Sequence, residues 1–227
     1  MTENHPILPD CSACTQRCDR RTRDRHDFQS DADYAGTHEL ELAELLSGNP
    51  GFTARKTRRR EYPDIEVIDT RTGKAVCYVE VKALRRAFMS VERLLPAAGL
   101  TPPETVELNT SDLLRYVRIH HRTGKKVFVL WRISERACLT PEGGYRCFFG
   151  DVEDLILIHA RTMADRTYRR RTGSGDIVNG EHKGVVVNFH YSIRELTEAH
   201  PENGLREILE AAGLWTPETA LPERKIV

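Results

Sequence analysis

Two carboxylates and a lysine stand out within residues 62–86, which read YPDIEVIDTRTGKAVCYVEVKALRR. β-Branched residues predict two strands, DIEVID and AVCYVEVKA, and the intervening TRTGK carries a turn glycine. Because successive side chains of a strand point to opposite faces, Glu80 and Lys82 share one face. The hairpin therefore places a carboxylate beside an ammonium, with Asp64 on the neighbouring strand.

The register of this hairpin decides what chemistry it can perform. A five-residue loop pairs Asp69 with Ala75 and sets Asp64 opposite Glu80, with Cβ atoms roughly 4.5–5.5 Å apart. Two carboxylates at that distance repel each other unless a cation lies between them, and hard oxygen ligands suit Mg²⁺. Lys82 would then neutralise a developing charge or help to position a nucleophilic water. The alternative is a surface hairpin with an ordinary Glu–Lys pair, which contributes little stability.

Helices and strands alternate around the hairpin. THELELAELLSG predicts a helix with Thr37 as N-cap and Gly48 as its stop, and GFTARKTRR predicts a strand. After an irregular connection over residues 87–109, SDLLRYVRIHHRTG predicts an amphipathic helix that ends at Gly124. Two further strands are predicted, by KKVFVLWRIS and by GVVVNFHYS. RCFFGDVEDLILIHA predicts a strand followed by a short helix. Helices are also predicted by IRELTEAH and LREILEAAG. This alternation predicts an α/β domain around a mixed sheet.

Length and composition fit one domain, residues 36–227, preceded by a cysteine-rich arm over residues 1–35. The chain has 227 residues, 39% hydrophobic and 30% charged, with a formal net charge of zero, which indicates a soluble globular protein. No apolar run approaches the roughly 20 residues of a membrane span, so we expect no membrane partner. The N-terminus lacks the layout of a signal peptide, so we expect a cytoplasmic location.

The hairpin also carries a recognisable motif. PD at residues 63–64, followed sixteen residues later by EVK, resembles the PD-(D/E)XK nuclease superfamily, which includes restriction endonucleases and Holliday-junction resolvases. In addition, ELELAELL followed by GF resembles the first helix of archaeal-type junction resolvases. The correspondence covers residues 37–133. It implies a mixed central sheet flanked by helices, with a restriction-endonuclease-like α-β-β-β-α-β core.

The resemblance also implies residue roles. Asp64 and Glu80 would be metal ligands, Lys82 the catalytic lysine, and Glu39 the helix acid that completes the site. Glu39 lies on the helix face of the buried leucines, which favours it, while Glu41 remains an alternative.

A later helix of RecB-like superfamily members carries a Gln-x-x-x-Tyr motif. Here the nearest match is Asp112 with Tyr116, so the tyrosine is in place and the glutamine is not.

The activity implied is a Mg²⁺- or Mn²⁺-dependent endonuclease that hydrolyses DNA. Two other classes stay open at this point: a non-catalytic nucleic-acid-binding module, and a structural subunit of a restriction or repair complex. RNA as substrate and assembly as a homodimer also stay open.

Arginines next to the motif are the predicted phosphate contacts. RKTRRR precedes Asp64, and two further arginines follow the second strand of the hairpin. Arginine's planar fork suits phosphate oxygens, so these residues would bind the DNA backbone. The predicted contacts are Arg58, Arg59, Arg60, Arg85 and Arg86.

The cysteine-rich arm has the spacing of a metal site. Cys11, Cys14 and Cys18 give C-x2-C-x3-C, and His26 follows. Such spacing suits a tetrahedral structural Zn²⁺ with His26 as a fourth ligand, and an iron–sulfur cluster is the less favoured alternative. The remaining cysteines fall in predicted strands and are expected to be core thiols: Cys77, Cys138 and Cys147.

We predict one zinc ion per chain in protein purified without chelators. Residues 1–35 offer few apolar side chains to bury, so ordering them needs another source of free energy, and structural zinc supplies about 10–16 kcal/mol in small modules. Elemental analysis with thiol titration measures this. A zinc content near zero with freely reacting Cys11, Cys14 and Cys18 would contradict the zinc site, and iron in its place would indicate the cluster.

Overall fold

The structure, a computed structural model, describes residues 28–59, 61–85, 87–169, 177–178, 181–182 and 187–215. The helices and strands in chain order are α1 Phe28–Ser47, β1 Phe52–Lys56, β2 Ile65–Asp69, β3 Lys74–Leu84, α2 Val91–Leu94, β4 Thr105–Asn109, α3 Thr110–Thr123, β5 Lys126–Ser134, β6 Tyr145–Asp151, α4 Val152–Arg166, β7 Thr167–Arg169, β8 Ile177–Val178, β9 Glu181–His182, β10 Val187–Ser192, β11 Thr197–Ala199 and α5 Arg206–Ala211.

Six strands form the central sheet in the order β1-β2-β3-β5-β6-β11. β3 and β5 pair parallel, and the other neighbours pair antiparallel, so the sheet is mixed. A three-stranded sheet, β4-β10-β7, and the two-stranded β8-β9 stand apart from it. The chain order α1-β1-β2-β3-α3-β5 confirms the predicted α/β class and its α-β-β-β-α-β core, with α2 and β4 inserted before α3.

Helices cover both faces of the central sheet, which buries every residue of β5 except its first. Phe128 and Leu130 point towards the hydrophobic cluster that includes α1 and α5. Val129 and Trp131 point towards the cluster that includes α3 and α4. The two clusters give each strand of the sheet an α1 face and an α3 face.

The loop of the β2–β3 hairpin is shorter than predicted. Asp69 pairs with Lys74 rather than with Ala75, so the loop is the four residues 70–73. Gly73 takes a positive φ of 65°, which a glycine adopts without steric cost, and its N–H donates to the Asp69 carbonyl at 2.8 Å. The expectation of a five-residue loop was therefore wrong.

A β-bulge compensates for the shorter loop and restores the predicted register near Asp64. The register shifts between β2 residues 67 and 68, which leaves Val76 of β3 as the extra residue, and Ile65 then pairs with Val79. Continuing that register by one residue sets Asp64 opposite Glu80.

The N-terminus of α1 differs from the prediction. Thr37 lies inside the helix, which begins at Phe28 and so crosses the expected boundary between arm and domain. No proline interrupts residues 28–47, and Gly36 alone does not end the helix.

Residues 193–200 were expected to be helical and are not. Ser192 and Glu195 form a capping box that closes a single 3₁₀ turn, Ile193–Glu195. The next residues, Thr197–Ala199, pair with the free edge of β6 as β11. The sheet edge offers backbone hydrogen bonds that override the weak helical pattern of this segment.

The connection over residues 87–109 is more ordered than its prolines and glycines predict. It holds α2 and the strand β4, which pairs antiparallel with β10. Trp131 of the central sheet donates its indole N–H to the Glu107 carbonyl at 3.0 Å, which docks β4 against the α3 face.

Two of the three cysteines expected in strands are there. Cys77 of β3 and Cys147 of β6 are fully buried, and burial raises the pKa of both thiols to about 12. Cys138 lies in a turn and is half-buried, so its placement in a strand was wrong.

In the part of the chain that the structure describes, no helix combines the length and apolarity needed to cross a membrane.

Candidate active site

Glu80 and Lys82 lie together on the α3 face of β3. Glu80 is buried, with 5% of its surface exposed, and its Oε1 lies 2.5 Å from Lys82 Nζ. Asp112 of α3 approaches the same ammonium, with Oδ2 at 3.7 Å. Burial disfavours the lysine's charge, but the Glu80, Asp112 and Asp64 carboxylates outweigh it and raise the pKa of Lys82. Lys82 is therefore held as a cation between acids.

Asp64 stands at the entrance to β2, next to this pair. Its Oδ2 accepts a hydrogen bond from the Val81 N–H at 2.9 Å, which fixes the carboxylate against β3. Burial and then the negative charge of Glu80, with a smaller contribution from Glu39, raise the pKa of Asp64 to about 7. The Val81 N–H and the Lys82 ammonium oppose this shift. The raised pKa of Asp64 thus reflects its desolvation next to a second carboxylate.

The acid of α1 that approaches Asp64 is Glu39. Its Oε2 lies 2.5 Å from Lys56 Nζ, and its side chain is 13% exposed. Glu39 contributes to the raised pKa of Asp64, and Lys56 is in turn within electrostatic range of Asp64.

Glu41, the alternative helix acid, has different neighbours. Its Oε2 lies 2.7 Å from His38 Nδ1 and 3.5 Å from Arg132 of β5. Desolvation opposes ionisation, but hydrogen bonds from Tyr145 and His38, with the charge of Arg132, lower the pKa of Glu41. Of the two acids, the structure therefore brings Glu39 to Asp64.

Helix α3 supplies site residues that were not assigned from the sequence. The Tyr116 hydroxyl hydrogen-bonds Glu80 and accepts from Arg115 Nη2 at 2.9 Å. Burial and the charges of Glu80 and Asp112 raise the pKa of Tyr116, so it stays a neutral donor. Arg115 Nη2 also lies 2.9 Å from Asp112 Oδ1. The partial Gln-x-x-x-Tyr match at Asp112 and Tyr116 was the signal that could have found them.

The local sequence explains why α3 presents these three side chains together. Asn109 caps the helix by accepting from the Ser111 N–H at 3.0 Å. Asp112, Arg115 and Tyr116 are three and four residues apart, so they fall on one side of the helix.

The acid pair has the donor set of a hard divalent cation. Asp64 and Glu80 offer carboxylate oxygens only, and their mutual repulsion is what a cation would relieve. Among the described residues, no group of three or more His, Cys, Asp or Glu side chains is arranged to hold a metal. Two ion pairs neutralise part of the negative charge: Lys82 pairs with Glu80, and Lys56 pairs with Glu39.

The predicted phosphate contacts divide into three groups. Arg58 and Arg59 are exposed in the loop after β1, and Arg59 Nη1 donates to the Tyr62 hydroxyl at 3.1 Å. Arg85 is half-buried at the end of β3. The other predicted contacts and the predicted arm ligands lie outside the described residues: Arg60, Arg86, Cys11, Cys14, Cys18 and His26.

Comparisons with known proteins find similarity in solved structures. No family model and no curated protein matches the chain. Hjc, a Holliday junction resolvase from Archaeoglobus fulgidus, is 16% identical with a TM-score of 0.37, over 82% of this chain and 98% of that one. A nuclease from a fusselovirus is 9% identical with a TM-score of 0.42, over 84% of this chain and 99% of that one. At TM-scores below 0.5 neither likeness by itself identifies a function. Both solved structures are nucleases.

Proposed function

We propose that this protein is a metal-dependent endonuclease that hydrolyses phosphodiester bonds of DNA. The observation that supports it best is the pairing of half-buried Asp64 with buried Glu80, beside a lysine held between Glu80 and Asp112. Two carboxylates held together at a partly buried site cost free energy unless a cation lies between them. A non-catalytic binding module would have no use for this arrangement.

The proposed role of each side chain follows from its charge. Asp64 and Glu80 are the proposed ligands of Mg²⁺ or Mn²⁺, and Glu39 adds negative charge beside Asp64. A bound cation of this kind lowers the pKa of a water ligand and neutralises charge on a phosphoryl oxygen. Lys82 stays protonated and can donate to a phosphate oxygen, and Tyr116 fixes the orientation of Glu80 through its hydroxyl.

The test is cleavage of a DNA panel that comprises duplex, nicked, single-stranded and branched molecules. We expect cleavage with Mg²⁺ or Mn²⁺, none with chelator, and none with Glu80→Gln, which keeps the shape of the side chain and removes its charge. Calorimetry provides the second readout, because Glu80→Gln should bind Mg²⁺ more weakly than the wild type. Equal Mg²⁺ affinity for the two proteins would contradict the ligand role of Glu80.

We also expect DNA binding to be sensitive to salt although the net charge is zero. Arg58 and Arg59 are exposed on the loop that leads to Asp64, and Arg60 follows them. Each phosphate contact adds about 0.9 to the slope of log K against log salt on duplex DNA. Replacing all three arginines with alanine should therefore flatten the slope by up to roughly 2.7. An unchanged slope would show that these arginines do not contact the phosphates of the bound DNA.

A further inference from the structure

A second concave site adjoins the acid pair on the α3 face of the sheet. A cleft of about 430 Å³ opens between the loop after β1, the β2–β3 hairpin and the C-terminal end of α3. Tyr78 lines this cleft and belongs to the hydrophobic cluster of the α3 face. Glu80 follows two residues later on the same face of β3, about 6–7 Å along the strand. A strand of nucleic acid at Glu80 would therefore reach the cleft within a short distance.

The cleft carries a surplus of positive charge. Among the described residues, four cations line it, and Glu66 is the one acidic lining residue. Glu66 is already engaged, since its Oε1 accepts from Arg55 Nε at 2.6 Å. Within the described part of the chain, the other three form no ion pair with a carboxylate: Arg59, Lys74 and Lys125. Cations placed this way suit phosphate oxygens.

Aromatic rings form part of the cleft wall. Tyr62 meets Tyr78 edge to face, with ring centroids 5.3 Å apart. The loop that carries Tyr62 is folded back because the Thr57 N–H donates to the Asp64 carbonyl at 2.7 Å. Arg59 then packs over Tyr62, with its guanidinium carbon 4.9 Å from the ring centroid. The loop thus ties the aromatic wall directly to the proposed metal ligand Asp64.

Thr57, which lines the cleft, has a buried hydroxyl oxygen that forms no hydrogen bond with any residue in the part of the chain that the structure describes. A buried hydroxyl left unpaired is costly, so a ligand with a donor or acceptor would be stabilised there. Positive charge, aromatic rings and a polar group together match the parts of a nucleotide: phosphate, base and base edge.

We infer that this cleft binds one unpaired nucleotide of the DNA strand beside the phosphate that is cleaved. The inference rests on the proposed function, because the strand that it holds is the one presented to Asp64 and Glu80. In an intact duplex the bases are stacked inside, so only phosphates would reach a concave site of this kind. The volume lies within the usual range of small-ligand sites. The enzyme should therefore prefer DNA that contains an unpaired nucleotide.

Binding in the presence of chelator tests this without cleavage. Fluorescence anisotropy with the full chain compares a fully paired duplex with the same duplex carrying one central unpaired nucleotide. We expect at least about fivefold tighter binding of the second DNA, the lower end of the effect that one stacked base contributes. Tyr62→Ala and the double variant Lys74→Ala with Lys125→Ala should each reduce that preference to less than about twofold.

Two variants control for general effects. Tyr62→Phe keeps the ring and should keep the preference, and Lys126→Ala removes a lysine that does not line the cleft and should also keep it. Equal affinity of the wild type for both DNAs, or a preference that survives in both cleft variants, would overturn the inference.

The cleft and the proposed function can fail separately. Cleavage with Mg²⁺ but no binding preference would remove only the cleft assignment. A binding preference without cleavage of any DNA would remove the nuclease and leave the cleft as a nucleotide site.

Discussion

Replacing Lys82 with alanine is expected to lower the cleavage rate by about 10²–10³-fold, the effect of removing one preorganised donor from a developing negative charge. Glu80 and Asp112 hold the ammonium in place and keep it charged, so it needs no reorganisation during the reaction. Single-turnover cleavage measures the rate. Calorimetry should show that Mg²⁺ affinity is retained, because both proposed ligands remain.

Lys126→Ala is the matched control for this variant. Lys126 is also held between two acids, with Nζ 2.7 Å from Asp151 and 2.6 Å from Glu153. It lies at the start of β5, where its register partner is Cys77, well before Lys82 on β3. The control should lose a similar salt bridge and cleave at close to the wild-type rate. Equal losses in the two variants would mean that Lys82 acts through stability and not through chemistry.

Replacing Asp64 with asparagine is expected to stabilise the metal-free protein at pH 8. The pKa of Asp64 is raised from 3.8 to about 7, so the folded state binds more protons than the unfolded state between these values. Ionised Asp64 therefore destabilises the fold, fully above pH 7 and not at all below about pH 4. About three pKa units correspond to a ceiling of roughly 4 kcal/mol in the free energy of unfolding. Asparagine keeps an oxygen for the Val81 N–H and carries no charge.

Urea unfolding in chelator at several pH values measures this difference. The stabilisation should be largest near pH 8 and vanish near pH 4, and Mg²⁺ should stabilise the wild type but not Asp64→Asn. Asp165→Asn provides the control, because Asp165 is exposed at the end of α4 and should show neither effect. A destabilised Asp64→Asn at pH 8 would show that Asp64 is not under charge repulsion in the folded state.

Local sequence patterns were enough to predict the central elements of the site. Alternation along β3 put Glu80 and Lys82 on one face, because the period of a strand is fixed by its geometry. The β-branched residues of the hairpin predicted two strands and the continuous apolar run of β5 predicted a buried strand, and the structure confirms these three strands. Such features depend on a few neighbouring residues, so local sequence is enough to predict them.

The pairing of Asp64 with Glu80 needed more than the local pattern. The predicted five-residue loop is a four-residue loop, and the bulge at Val76 restores the register that the shorter loop would have shifted. A bulge depends on how two strands pair, so the sequence of either strand alone does not specify it. The expected alignment was therefore reached through two compensating differences.

The distant side chains that complete the site depend on how the helices pack against the sheet. Tyr116 reaches Glu80 because α3 packs on that face of the sheet, while Glu39 approaches Asp64 from the other helix layer. The raised pKa of Asp64 follows from burial beside Glu80, which no sequence window contains. Likewise, the cleft at Tyr62 and Tyr78 exists because a loop folds back over the hairpin. Contacts between residues far apart in sequence depend on the packing of whole elements, and the helix and strand pattern alone does not specify it.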